Sequence, residues 1–509
     1  MGIKLTLLIV FFAVMVAVGL YSRKHATSVD GFVLGGRSVG PWLTAFAYGT
    51  SYFSAVVFVG YAGQFGWKYG LSSTWIGIGN ALIGSLLAWV VLGRRTKVMS
   101  QHLKSKTMPD FFGERYSSKA LKIAASAIVF IFLVPYTASI YNGLSRLFGM
   151  AFNIPYTYCV IAMAVFTGIY VILGGYMATA INDFIQGIIM LIGIVAVIAA
   201  VLSGQGGFLE AIRKMAELPS DVPVTLGQPG AFTSFFGPDP LNLLGVVILT
   251  SLGTWGLPQM IGKFYAIKDE KAINTGTVIS TLFACVVAGG SYFLGGFGRL
   301  FDGSAIYDEG GNVVFDSIVP HMLSTLPDIL IGVVVVLVLS ASMSTLASLV
   351  LTSSSTLTLD FLKDNVMKNV SEKKQVRTMQ VLIVFFIAVS VVIALDPPTF
   401  IAQLMGISWG ALAGAFLAPF LYGLYWRGVT KAAVWASFAA GVGITVSNMF
   451  LHYIASPINA GAIAMVAGLV VVPIVSILTP KLKKEHIDEI FTCYEEKVTI
   501  TKKRSLEAN

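Results

Sequence analysis

Long uncharged stretches alternating with short basic connections, repeated from one end to the other, constrain this chain more than any single motif. Each stretch runs to ~20 residues or more, the length a helix needs to cross a hydrocarbon layer about 30 Å thick. Only 12% of the 509 residues are charged while 56% are hydrophobic, and the mean hydropathy of +0.80 lies outside the range of water-soluble domains. Backbone polar groups in lipid must be paired within their own segment, so the stretches read as helices and the chain as an all-α polytopic membrane protein.

Hydropathy places about thirteen spans, near 3 to 21, 41 to 65, 72 to 93, 123 to 148, 155 to 176, 182 to 204, 240 to 262, 272 to 298, 322 to 358, 378 to 395, 399 to 424, 432 to 453 and 459 to 479. The ninth is too long for one crossing; it is expected to contain a loop or surface helix first, with the spanning part starting near Ile329. The stretch from Ile3 to Tyr21 has one leading Lys4 and no small-x-small cleavage pattern, so it reads as a membrane helix and not as a leader.

An odd number of spans puts the termini on opposite sides, and the basic residues choose which. With the N-terminus outside, 28 of the 34 Lys and Arg fall on the cytoplasmic side, leaving Lys4, Lys68, Arg146, Arg213, Lys214 and Arg299 outside. The expectation is a multi-pass protein of the plasma (inner) membrane with a cytoplasmic C-terminus. The net charge of +9 is then a topology signal and calls for no nucleic acid partner. The tail cluster Lys502, Lys503 and Arg504 is either solvated or in contact with anionic lipid. The longer outer loops, about 205 to 239 and 299 to 321, carry Gly, Pro and acidic residues; they are ordinary connections or the rim of a vestibule.

Other classes find no support. Cys159, Cys285 and Cys493 are far apart, with neither a disulfide framework nor a metal-ligand spacing. The paired glycines at 35, 174, 289, 295 and 310 never form GxxxxGK[ST], so there is no nucleotide site. His25, His102, His321, His452 and His486 are scattered and no GxSxG occurs, so no enzyme is expected.

The chemistry concentrates in LSASMSTLAS, Leu339 to Ser348. On a helix, Ala341, Ser344 and Thr345 stand at i, i+3 and i+4, so a carbonyl and two hydroxyls share one face. A hard cation takes oxygen ligands, and sodium is the natural candidate; the same small residues also serve close helix packing or bond back to the carbonyl at i−4. Two other spans carry interruptions. TAFAYGTSYFSAVVFVG holds Gly49, Thr50, Ser51 and Ser54 at mid-depth, and TSLGTWGLPQMIGKF holds Gly253, Gly256 and Pro258. Breaks in corresponding spans are the mark of discontinuous transporter helices meeting at a midplane site.

These residues carry a resemblance. GGRSVGPWLTAFAYGTSYFSA from Gly35, GGYMATAINDFIQGIIMLIG from Gly174, ASMSTLASLVLTSSS from Ala341 and GLYWRGVTKAAVWASFAAG from Gly423 resemble, in order and spacing, the sodium/solute symporter family. The resemblance implies a LeuT-like core of two inverted five-helix repeats, at 41–204 and 240–424, joined by an outer loop at 205–239. Segment 1–40 would be an extra helix and loop, 425–479 two further helices, and 480–509 a cytoplasmic tail. It implies a sodium site at the carbonyls of Thr50, Phe53 and Ala341 and the hydroxyls of Ser344 and Thr345. It gives Asp183 a part in sodium exit or, with Ser348, in a second sodium site; Asp183 also suits an N-cap, and Ala347 stands where that second site wants an oxygen. Sodium/proline symporters carry an acid at the position of Tyr52 and aromatics at those of Thr250 and Thr254, so the pattern looks closer to the pantothenate type.

The expected function is sodium-coupled symport of a small organic solute by alternating access. The alternatives are proton-coupled or uncoupled transport, and a transporter-like sensor, for which the ~30 residues after the last span leave no signalling domain. Asp183 reads as the one clearly intramembrane ionisable residue, with no Lys or Arg at mid-depth. A carboxylate would then be held by the free N–H groups of the helix restarting after Ser54. Tyr52, Ser54, Tyr136, Trp255 and Gln259 are the expected lining, suited to a neutral, zwitterionic or monocarboxylate solute.

Overall fold

The computed structural model describes residues 2–152, 154–367, 370–396 and 401–495. The basic tail cluster of Lys502, Lys503 and Arg504 lies outside the described residues. All regular structure among these residues is helical, apart from single bridges at Val39–Ile267 and Tyr307–Val313. Among the described residues, eleven helical runs are long and apolar enough to cross a membrane, against the thirteen spans expected.

The difference lies in two runs that reverse direction. Val56–His102 has 47 residues and Thr157–Gly204 has 48, each long enough for two crossings. In the first, Gly70 adopts φ +60 and the chain turns back: Gly66 lies against Gly295 and, beyond the turn, Gly77 lies against Gly289 and Gly93 against Ile273. In the second, Gly175 sits at φ 54, ψ −143. A side chain there would run into the backbone of Phe32, so position and packing both demand glycine. Phe166 stacks on Phe12 before the turn, while after it Asn182 and Gln186 both reach Met15.

Both expected breaks are present. Pro41–Tyr52 stops at Phe53, whose φ −104, ψ 124 is extended, and the helix resumes in the wide turn Val56–Tyr61 and continues as Ala62–Tyr69. The Ser54 hydroxyl accepts from the Val56 N–H at 3.2 Å, capping the restart. Pro240–Gly253 is followed by a turn, an extended Leu257 (φ −86, ψ 121) and a new helix, Pro258–Ala266, that opens on proline. The long ninth segment divides as expected into a short helix Phe315–Ser324 and the spanning helix Asp328–Thr356.

The broken helices pack reciprocally. The first lies along Glu270–Gly295, with Gly49 on Phe283 and Gly66 on Gly295. The second lies along the run beginning at Thr74, with Gly79 on Val247 and Ser251 and with Thr254 donating to the Gly84 carbonyl at 3.0 Å. Those two partners run antiparallel to each other, and Ser85 and Ser280 meet between them, hydroxyl to hydroxyl at 2.8 Å. Each broken helix thus rests on the helix that follows the other broken helix.

Candidate functional site

Thr345 stands opposite the first break. Its Oγ1 lies 3.1 Å from the Ala341 carbonyl on its own helix, and 3.2 Å from each of the carbonyls of Thr50 and Phe53. The last two are accessible because the break at Phe53 ends the local hydrogen-bond ladder and leaves carbonyls without helical partners. One hydroxyl proton serves one of the three carbonyls at a time. The neighbouring Ser344 hydroxyl is buried and has no hydrogen bond. Thr50, Phe53, Ala341 and Thr345, four of the five residues selected from the sequence, are therefore brought together as a cluster of neutral oxygens joining two helices, and the fifth, Ser344, is next to Thr345 in the chain.

One turn further along Asp328–Thr356, toward the loop carrying Lys363 and Arg377, lies a second polar layer. Ser348 Oγ is 2.7 Å from Ser51 Oγ and accepts from Lys263 Nζ at 3.0 Å. Lys263 Nζ is 3.7 Å from Asp183 Oδ2. Asp183 is 0% exposed and neither carboxylate oxygen has a hydrogen bond; Lys263 is 2% exposed. Two expectations are corrected here. Asp183 lies eight residues past the Gly175 turn, inside a helix, so it caps nothing. Lys263 was placed among the cytoplasmic loop cations, but Pro258–Ala266 continues the apolar run beyond residue 262 and draws the ammonium into the protein interior. A buried charge needs a partner, and each of the two residues supplies it for the other.

The expected solute residues divide between two places. Tyr52 donates to the Thr250 carbonyl at 2.6 Å, tying one break to the other. Its ring stacks on Trp409 at 6.0 Å, and Tyr136 meets the same indole edge-on at 5.9 Å. The Tyr136 hydroxyl and the Trp409 Nε1 are both buried without a hydrogen bond. Ser54 is committed to its cap, and Trp255 Nε1 donates to the Ile83 carbonyl at 2.9 Å. Gln259 faces elsewhere: with both ends of its amide unpaired, it lines a cavity of about 40 Å³ shared with Lys263, Ser348, Tyr176 and Thr179. Trp409 escaped the sequence reading although a signal exists. It is a lone large ring in a run of Gly and Ala, and Gly253 is the position that makes room for it.

Residues 32–441 match the family model described as "Sodium:solute symporter family". Sodium/proline symporters of Staphylococcus aureus, strains JH9 and NCTC 8325 / PS 47, are 30% identical over 501 residues, covering 94% of this chain and 92% of theirs. Of the two symporter types the sequence resembles, these relatives carry the proline name. Among solved structures, a Na+-coupled sialic acid symporter in a substrate-bound outward-open state superposes with a TM-score of 0.73 at 15% identity, covering 95% of this chain and 99% of that one. A nucleobase-cation-symport-1 family transporter, closed with bromovinylhydantoin bound, gives 0.50 at 15% identity, covering 90% and 98%. The fold is that of LeuT-like sodium symporters, and the chain is a multi-pass membrane transporter, not an enzyme. On the strength of the family model and of relatives matched over nearly the whole length, this chain belongs to the sodium:solute symporter family.

Proposed function

We propose that this protein couples the entry of one small organic solute to the inward movement of sodium by alternating access. The observation that carries this reading is the convergence of Thr345 Oγ1 with the carbonyls of Thr50, Phe53 and Ala341 at 3.1 to 3.2 Å, beside the unpaired Ser344 hydroxyl. Neutral oxygens of this kind suit a hard monovalent cation, and two of the carbonyls are present only because the helix is broken. Sodium in that shell would pin the first broken helix to Asp328–Thr356. A solute would close the same break from the other side, so that each ligand favours the state the other favours, and the coupling is reciprocal.

The solute we assign is neutral, zwitterionic or singly carboxylated. The Tyr136 hydroxyl and Trp409 Nε1 offer polar contacts beside aromatic walls, and the restarting helix after Ser54 offers its N-terminal dipole to a carboxylate. Proline and sialic acid, named for the relatives, each carry one carboxylate. In this reading the chain crosses the membrane thirteen times, splitting at Gly70 and Gly175. Its repeats are 41–204 and 240–424, and positive charge sets the C-terminus in the cytoplasm.

The test is uptake into proteoliposomes under an imposed sodium gradient, with labelled proline, other amino acids, monocarboxylates, sugars and dicarboxylates. Accumulation of a zwitterion or monocarboxylate that collapses when sodium is equilibrated supports the reading. Accumulation driven by a proton gradient alone, or of a dianion only, refutes it.

A further inference from the structure

The Asp183–Lys263 pair has no part in the sodium shell at Thr345, yet it sits one helical turn from it. Asp183 is fully enclosed, with its carboxylate oxygens unpaired except by the ammonium 3.7 Å away. Ser348 holds the same ammonium at 3.0 Å, and the Ser344 hydroxyl faces the carboxyl without closing a hydrogen bond. Tyr176 covers the ammonium with its ring, 5.2 Å away. A carboxylate and two hydroxyls at i and i+4 of one helix are what a cation needs in a dry interior, and here the cation already present is a side chain.

A sodium ion and an ammonium at one carboxylate would bring two positive charges within about 4 Å of each other, where they repel strongly in a low dielectric. The two are therefore exclusive. Ala347 adds no oxygen that would shift the balance toward the free ion. Lys263 stands on Pro258–Ala266, the half-helix that restarts after the second break, and Gln259 stands one turn before it facing the same cavity. The ammonium consequently travels with a broken helix and does not exchange with solvent.

Building on the sodium-symport reading, we propose that the Lys263 ammonium is a tethered cation filling the locus between Asp183, Ser344 and Ser348 where a second sodium ion would otherwise bind, so that this protein carries a single sodium per cycle. Removing the amine while keeping Asp183 then opens a second sodium site.

The probe is radiolabelled sodium alone, bound at equilibrium to the purified full-length protein in detergent. Wild type should bind one ion per chain, and Thr345→Ala, its affinity about 5- to 150-fold lower, should bind almost none at a sodium concentration that just saturates wild type. Lys263→Ala should bind two, with the Hill coefficient rising from about 1 toward 2. Thr345→Ala/Lys263→Ala should retain one, and Lys263→Arg should keep the single ion. Two ions on wild type, or one ion bound to Thr345→Ala with wild-type affinity, overturns the proposal without any need for the Lys263 variants to fold. So does a folded Lys263→Ala, judged by its retained first ion, that gains none. Absence of sodium binding from every variant and from wild type refutes the symport reading, and with it this one.

Discussion

Thr345 and Phe53 meet across a helix break: the hydroxyl of one lies 3.2 Å from the carbonyl of the other, 292 residues away in sequence. An intact helix would have used that carbonyl itself. The contact exists because Phe53 is extended, and the first prediction follows from it. Thr345→Ala and Ser344→Ala each remove one neutral oxygen from the shell, a loss of about 1–3 kcal/mol by comparison with an unpaired buried polar group. The sodium concentration for half-maximal uptake should rise about 5- to 150-fold, at unchanged surface expression. A sodium titration of initial uptake rates decides it; unchanged activation in both variants would show the shell to be structural only.

The Tyr136 hydroxyl is the smallest change that probes the aromatic chamber. Tyr136→Phe leaves the ring against Trp409 and deletes only a hydroxyl that faces Ser54 and the Trp409 indole without closing a hydrogen bond to either. Stability should hold, while solute affinity falls by about 0.5–1.5 kcal/mol, the worth of one hydrogen bond. Sodium binding measured without solute should be untouched. Equal affinity in the variant and wild type would place the solute elsewhere.

Asp183→Asn leaves the Lys263 ammonium buried beside a neutral amide. Breaking a buried pair from one side costs about 3–5 kcal/mol, whereas replacing both partners with apolar groups is close to neutral. Thermal unfolding in detergent should therefore show Asp183→Asn well below wild type, and Asp183→Leu/Lys263→Met recovering most of the loss. Additive losses in the double variant would mean that the two groups do not interact.

Outside the core, Arg299 fastens the 205–239 connection. It bonds Asp221 at 2.7 and 3.2 Å, donates to the Trp67 carbonyl at 2.6 Å, and lies 3.9 Å over the Phe232 ring and 4.7 Å over Trp67. Arg299→Ala should make that connection cleavable by protease in the folded protein, with little change in the unfolding temperature. Resistance equal to wild type would show that the connection is held by its own packing at Ala211, Met215 and Phe232.

The lipid-facing and helix-breaking features were legible in the sequence because they are local. Proline at 258, the glycines around it and the small polar run at 49 to 54 break a helix whatever surrounds them. The i, i+3, i+4 spacing of Ala341, Ser344 and Thr345 likewise needs no partner to be seen. Lys263 was misplaced because hydropathy assigns a lysine near the end of an apolar run to water, whereas its partner is 80 residues away in sequence and shows only in three dimensions. Trp409 was missed for a related reason. What makes it part of the chamber is Tyr52 on one side and Tyr136 on the other, and neither is near it in the chain. Hydropathy divides the two long helical runs near Gly70 and Gly175, the positive-φ positions at which each reverses.

Ser85 and Ser280, touching hydroxyl to hydroxyl between antiparallel helices, tie together the two helices on which the broken helices rest. In the proposed transport cycle, movement of either broken helix reaches the other through that tie. Losing one of the two hydroxyls should therefore change the rate of turnover before it changes what the carrier binds.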